Sequence, residues 1–271
     1  MKIAFTSNYH GQGGTTSNVM AIANVITMVH NCRVLLMQTH FDKNNLQRSL
    51  FGLSTMNDSE LQFDNMGIDA LLRYSKAGPI TEKMIHDCSI SINKQKMNYI
   101  MGTEKKDRII YEQEMLKRYL NIIDVMDQSY EYLVIDTNSC DDDLSQMILK
   151  EADLVVANLS QNINVIDEYL GCDRYMQYLG KTMFLIGNYN CNSSYNLSNI
   201  KRYSKSFTDS NIATIPYNVD YFDAQCDGKV LDFFARNIES KKGDSNYYFI
   251  KSIKEAALLI MEKELCCRKV V

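Results

Sequence analysis

The sequence predicts an α/β fold, a mainly parallel central sheet of about seven strands flanked by helices, in one domain spanning residues 1–271. Three observations predict it. Short apolar runs alternate with longer segments in which apolar residues recur every three or four positions. A glycine-rich stretch, Asn8-Tyr9-His10-Gly11-Gln12-Gly13-Gly14-Thr15-Thr16-Ser17, lies between the first run and the first helical pattern, and it contains no lysine. The fourth run ends in an acidic residue, Asp136.

The first strand is expected at 2–7, where Ile3, Ala4 and Phe5 follow the N-terminus directly. A helix follows, marked by Val19, Ile22, Val25, Ile26 and Val29 on one recurrent face. The second strand is Arg33 to Met37, the third Asn98 to Met101, the fourth Glu131 to Asp136, the fifth Leu154 to Ala157 and the sixth Met183 to Gly187. A weaker last strand is expected at Ile212 to Ile215. Between the third and fourth strands, Ile109, Ile110, Met115, Leu116, Leu120, Ile123 and Val125 give a long helix, and further helices are expected at 162–179, 196–206 and 247–265. The stretch from Asn44 to Ser91 is a longer excursion with helices at 68–73 and 81–88, expected to cap one edge of the sheet. Each crossover is long enough for the right-handed connection that parallel strands require.

Composition narrows the function. The formal charge of −4 and the pI near 5.6 argue against broad binding to polyanions, which needs a basic footprint. Two local basic clusters, Lys201, Arg202 and Lys205, and Lys241 and Lys242, read as solvated helix faces. Eight cysteines (Cys32, Cys88, Cys140, Cys172, Cys191, Cys226, Cys266 and Cys267) are scattered with no C-x-x-C pair, so most are expected reduced and packed as small apolar residues. No run approaches the roughly 18 apolar residues of a spanning helix, and the expected location is the cytoplasm.

In open parallel sheets ligands sit beyond the carboxyl ends of the strands, which directs attention to four loops. In the first, Gly11, Gly13 and Gly14 permit close backbone approach, so that successive amides, with Gln12, Thr15, Thr16 and Ser17, can cradle an anion at the positive helix end. An ordinary strand-to-helix turn capped by threonine is the alternative. The second loop, Gln38-Thr39-His40-Phe41-Asp42, is polar and lies beside the first in this architecture. Asp136 in the third can share a Mg²⁺ with the Thr16 hydroxyl, or merely form a turn. Asp141, Asp142 and Asp143 suit the start of the next helix. In the fourth loop, Asn188 offers a donor and an acceptor to a base edge, although asparagine is common in loops.

Together these positions resemble the ParA/MinD family of deviant Walker P-loop ATPases, over residues 1 to about 262. The family's Lys-Gly-Gly-Val-Gly-Lys-Thr-Thr falls on His10 to Ser17, where Gly11, Gly14 and Thr16 are identical and both lysines are gone. His10 stands at the signature lysine, and His40 at the carboxylate that orients water in active members. Asp136 is retained, Asn188 matches the base-contacting asparagine, and Ile215-Pro216-Tyr217-Asn218 looks like the stretch that shapes the adenine pocket. Gly67-Ile68-Asp69-Ala70-Leu71-Leu72, Gly78-Pro79-Ile80-Thr81 and Tyr99-Ile100-Met101-Gly102-Thr103 are most like the TadZ/CpaE branch of pilus-assembly localisation proteins.

The resemblance implies ATP or ADP with Mg²⁺ held through Thr16 and Asp136, a base near Asn188, Pro216 and Asn218, and no iron–sulfur cluster. Turnover should be weak or absent, since the groups lost are those that position and neutralise phosphoryl transfer. The implied role is a homodimeric positional scaffold whose protein partner belongs to a pilus, secretion or conjugation apparatus. Two other readings stay open: a divergent ATPase that partitions DNA or cargo, with DNA met through Lys201, Arg202 and Lys205, and membrane contact through Leu258, Leu259, Met261, Leu265, Cys266 and Cys267.

Overall fold

The structure is a computed structural model that describes residues 1–41, 45–52, 65–93, 96–138 and 142–268, with side chains described through 263. Its strands are β1 (Lys2–Thr6), β2 (Val34–Gln38), β3 (Ile90–Ile92), β4 (Met97–Ile100), β5 (Tyr132–Asp136), β6 (Leu154–Leu159), β7 (Thr182–Tyr189) and β8 (Ile212–Pro216). They form one sheet of eight strands in the order β3-β4-β2-β5-β1-β6-β7-β8. All neighbours run parallel except β3 and β4.

The strand that the sequence did not signal is therefore the antiparallel edge. Ile90–Ile92 is three residues long, half-exposed at Ile90 and exposed at Ser91, so it lacks the buried apolar run that marks the other strands. It ends the Asn44 to Ser91 excursion, which does cap that edge, with residues 53–64 outside the described set.

The helices are α1 (Thr15–His30), α2 (Asn45–Phe51), α3 (Gly67–Ala77), α4 (Glu82–Asp87), α5 (Arg108–Ser129), α6 (Asp143–Glu151), α7 (Ile163–Leu170), α8 (Asp173–Met176), α9 (Leu197–Tyr203), α10 (Val219–Cys226), α11 (Val230–Asn237) and α12 (Tyr247–Arg268). The single helix expected at 162–179 is broken: Gly171 ends α7, and Cys172 starts the short α8. Helices α2, α10 and α11 were not foreseen, because each is only seven or eight residues long, about two turns, which is too short for a recurrence to stand out.

Residues along each strand alternate between two cores, as a period of two demands. Ile3 and Phe5, Val34 and Leu36, and Val134 and Val156 face the layer containing α1 and α12. Ala4, Leu35, Met37, Leu133, Ile135 and Val155 face α3, α5, α6 and α7. Helix α1 is buried without a break from Asn18 to Thr27, and Asn24 Nδ2 and the Thr27 hydroxyl donate to the carbonyls of Met20 and Ala23. In α12, Ile250, Ile253, Ala256, Ala257 and Ile260 are buried against this layer, while Leu258 is exposed. The apolar stripe of α12 thus packs on the sheet, and Leu265, Cys266 and Cys267 lie outside the described side chains. No helix among the described residues is long and apolar enough to cross a membrane.

Among the described cysteines none is paired. Cys88 is buried and Cys32 and Cys172 are half-buried, whereas Cys191 and Cys226 are exposed, so the expectation of packing holds for the first three only.

Candidate functional site

The sheet order places β1 between β5 and β6, so the loops after β1, β2, β5 and β7 meet at one end. Register makes this specific: Asp136 on β5 pairs with both Phe5 on β1 and Gln38 on β2. The loop from Ser7 to Gly14 enters α1 through Gly14, which is left-handed at φ 63°, and Gly11 is left-handed at φ 76°. Glycine adopts these angles at little steric cost.

Close packing fixes the rest of the loop. A Cβ on Gly13 would lie 2.9 Å from the carbonyl oxygen of Asn158, and one on Gly187 would lie 1.9 Å from that of Gly13. Asn18 donates to Gly13 O at 3.1 Å and to Asn158 Oδ1 at 3.0 Å, and Asn158, wholly buried on β6, donates to the carbonyls of Val156 and Thr6. Asn188, itself left-handed at φ 50°, donates to Gln12 O at 3.3 Å. The loop is clamped from three sides.

The N-terminus of α1 has neither a side-chain cap nor an acidic residue in its first turn. By contrast α5, α6, α7, α9 and α10 are capped by Asp107, Asp142, Asn162, Asn196 and Asn218. The first amides of a helix carry a partial positive charge, and a side-chain cap would satisfy one of them. In α1 they open instead onto a cavity of about 320 Å³.

That cavity is walled by Gly11, Gly14, Thr15, Thr16 and Ser17, with His10 and His40 at one side and Asn45, Asn188, Tyr217 and Phe222 at the other. None of these described lining residues is a lysine, arginine, aspartate or glutamate. Gln12 and Gly13, expected in the site, form the backing of the loop through their carbonyls. Pro216 and Asn218 do not line the cavity. Pro216 closes β8 against Tyr189, and Asn218 accepts from Tyr221 N to cap α10 and donates to Asn246 Oδ1 at 2.8 Å. Tyr217 between them is the residue that faces the cavity, because consecutive residues leaving a strand point to opposite sides.

At the floor, the Thr16 hydroxyl donates to Asp136 Oδ2 at 2.7 Å. Asp136 is fully buried, and its Oδ1 has no partner among the described residues. Burial pushes its carboxyl above the usual range, while the neighbouring His40 and the Thr16 hydrogen bond act in the opposite direction. His40 Nε2 lies 2.9 Å from the carbonyl oxygen of Thr137 and 3.9 Å from Asp136 Oδ1. A carbonyl only accepts, so Nε2 carries the proton, and the buried Nδ1 is left as an acceptor without a partner. His10, by contrast, is exposed at the loop tip.

This donor set fits a magnesium ion that keeps most of its water. One hydroxyl and one carboxylate converge, and the second carboxylate oxygen is unsatisfied. No group of three histidine, cysteine or acidic side chains among the described residues would bind an ion without further ligands. Mg²⁺ is commonly held in this way, by one or two side chains plus phosphate oxygens and water. Thr16 and Asp136 would hold it, and its charge would neutralise phosphate oxygens at the loop amides.

Comparison with solved structures gives the architecture its name. A ParA family ATPase from Chlorobium tepidum TLS superposes with a TM-score of 0.73 at 13% identity, covering 95% of this chain and 98% of that one. The chain has the ParA/MinD fold. The septum site-determining protein MinD from Pyrococcus horikoshii OT3, complexed with Mg-ADP, gives 0.68 at 14% identity over 94% of this chain and 93% of that one. A putative plasmid partition protein from Borrelia burgdorferi B31, bound to AMPPNP, gives 0.63 at 15% identity over 97% and 98%. No family model matches the sequence, and no curated protein matches it.

In this version of the ParA/MinD fold, the residues that sequence reading missed are Asn18, Asn158, Asn45, Tyr217 and Phe222. Asn158 had a signal, a carboxamide inside the apolar run Leu154-Val155-Val156-Ala157-Asn158-Leu159, which demands a buried partner. Phe222 and Asn45 had none, since both sit on short helices without a period. Asp142 and Asp143 cap and open α6 as expected, and Asp141 lies outside the described residues.

Proposed function

We propose that this chain binds an adenine nucleotide with Mg²⁺ at the loop of Gly11 to Ser17 and turns it over slowly or not at all, acting as a homodimeric positional scaffold. The observation that carries the reading is the cavity at the uncapped end of α1: backbone amides, hydroxyls and a hydroxyl–carboxylate pair remain, and no lysine or arginine is among the described lining residues. Binding to amides and a helix terminus needs no lysine. Phosphoryl transfer does need preorganised charge, and each such group removed costs on the order of 10²-fold in rate. Asn188 and the tilted pair Tyr217 and Phe222, ring centroids 6.0 Å apart, would flank the base.

The partner belongs to a pilus, secretion or conjugation apparatus, a reading supported by the TadZ/CpaE-like segments 67–72, 78–81 and 99–103. The chain acts as one unit over residues 1–271, in the cytoplasm, with the exposed His10 turned toward the second copy. Calorimetric titration with ATP and Mg²⁺ beside a phosphate-release assay tests the reading. Saturable heat with phosphate release at background is the expected result. Release at the rate of an active ParA ATPase run in parallel would refute the scaffold.

A further inference from the structure

A second cavity of about 120 Å³ opens on the far side of His40, between the N-termini of α5 and α6. It shares His10 and His40 with the phosphate-loop cavity, but its chemistry is different. Two carboxylates, Glu112 and Asp142, stand in its wall against one arginine, Arg108. Before any charge on the two histidines the wall is net negative.

The hydrogen bonds sharpen that bias. Arg108 Nε donates to Glu112 at 2.6 Å, Asn138 donates to Asp142 Oδ2, and the Ser145 hydroxyl donates to the carbonyl of Asn138. His40 gives its Nε2 proton to Thr137 O. These bonds engage Arg108 Nε, the Asn138 amide and the Ser145 hydroxyl within the wall. Among the described residues, the unpartnered buried polar atoms of this wall are His40 Nδ1 and the hydroxyl of Thr39, a residue 4% exposed, and the two carboxylates keep lone pairs beyond their bonds to Arg108, Asn138 and Ser145 N. Phe41 and Leu144 add an apolar rim, with the Phe41 ring set against Tyr111 at 6.0 Å.

We propose that this cavity binds an organic cation, an ammonium or guanidinium group carried on a short alkyl stem. The charged head meets Glu112, Asp142 and the Thr39 hydroxyl, and the stem lies along Phe41, whose ring face attracts the cation. The volume is about four times a water molecule's share of the liquid, room for a guanidinium and a few methylenes. The two carboxylates disfavour an anion. The same head group reaches the cavity either on a free small amine or on a basic side chain of a docked protein. The proposal does not depend on nucleotide binding in the neighbouring cavity.

The test is calorimetric titration of the full chain, without nucleotide, at low and high salt. The probes are agmatine, putrescine and a short glycine peptide bearing one arginine. Saturable binding is expected at a Kd on the order of 1 mM or tighter, weakened by salt. Glu112→Gln and Phe41→Ala should each weaken it about tenfold, with melting curves confirming that both variants fold. Agmatine binding as tightly as the peptide identifies a free small cation; a peptide at least about tenfold tighter identifies a protein side chain. Absence of binding by all three probes overturns the proposal, as does binding that neither substitution alters.

Discussion

Around the glycine loop the cavity wall is made of backbone, hydroxyls, carboxamides, two histidines and two aromatic rings, with no lysine, arginine, aspartate or glutamate among the described lining residues. Across His40, a few residues away, the wall carries Arg108, Glu112 and Asp142 and leaves acceptors open. One side is rigid: Gly13, Gly187, Asn18 and Asn158 interlock so closely that side-chain carbons are excluded. The other holds buried polar atoms without partners, on Thr39 and His40. The contrast teaches that the part of the site needed to shape a loop around an anion is kept by packing, whereas the charge that would act on that anion is absent from its wall.

The packing claim predicts the largest effect. In Gly187→Ala the new carbon would lie 1.9 Å from Gly13 O and 2.8 Å from Asn18 Nδ2, so backbone must move on one side. A loss of roughly 3 kcal/mol or more is expected, lowering the melting temperature by on the order of 10 °C in a thermal scan. A shift of a degree or less would show that the loop is not clamped by β7.

Reinstating the loop lysine is the next test. Thr15→Lys puts a cation where the wall has none, and a charged hydrogen bond to phosphate contributes about 1.5–3 kcal/mol, at least tenfold in affinity. ATP titration should show that gain, while agmatine binding across His40 stays unchanged. Equal ATP affinity in both proteins would break the reading that missing charge limits the loop.

The two sides also differed in how much the sequence disclosed. The glycines, Thr16 and Asp136 were legible because tight turns and a strand-ending carboxylate restrict residue type. The parallel strands were legible from short apolar runs alternating with helical periods, and the three-residue β3 escaped because it has too few residues to show such a run. The cation-facing cavity was not legible. Arg108 and Glu112 come from α5, and Asp142 and Thr39 from two loops, and only the sheet order brings them together. Of the residues expected beside a base, Asn188 lines the cavity and Pro216 and Asn218 do not, whereas Tyr217 between them does.

Asp136 allows the two cavities to be weighed by pH. Its folded-state acid strength is weakened by burial, so the folded chain holds the proton more tightly than the unfolded one. A group of this kind contributes stability below its unfolded pKa and loses that contribution as pH rises through the folded value. Asp136→Asn keeps the shape and an acceptor for Thr16 but never ionises. It should melt a few degrees higher than the parent near neutral pH, with the gap closing in acid, and Mg²⁺ should no longer strengthen its binding of ATP. A gap that widens in acid would mean that the carboxylate is stabilised where it stands.

The smallest expected effect concerns the aromatic side of the loop cavity. Tyr221 is buried among Phe233, Phe234 and Phe249, and its hydroxyl reaches out to Ser17 O at 2.7 Å, tying α10 to the first turn of α1. Tyr221→Phe retains the ring cluster and removes one hydrogen bond, about 1 kcal/mol. The carbonyl of Ser17 is not left bare, because it also lies within the helix, so the melting temperature should fall by only ~2–4 °C. Helix α10 carries Phe222 on the cavity wall and Gln225, which accepts from the Ser17 hydroxyl. Ser17→Ala combined with Tyr221→Phe removes both ties, and if α10 holds the base, ATP affinity should drop more than the sum of the single losses. Additive losses would place the base elsewhere and leave α10 as a purely structural brace.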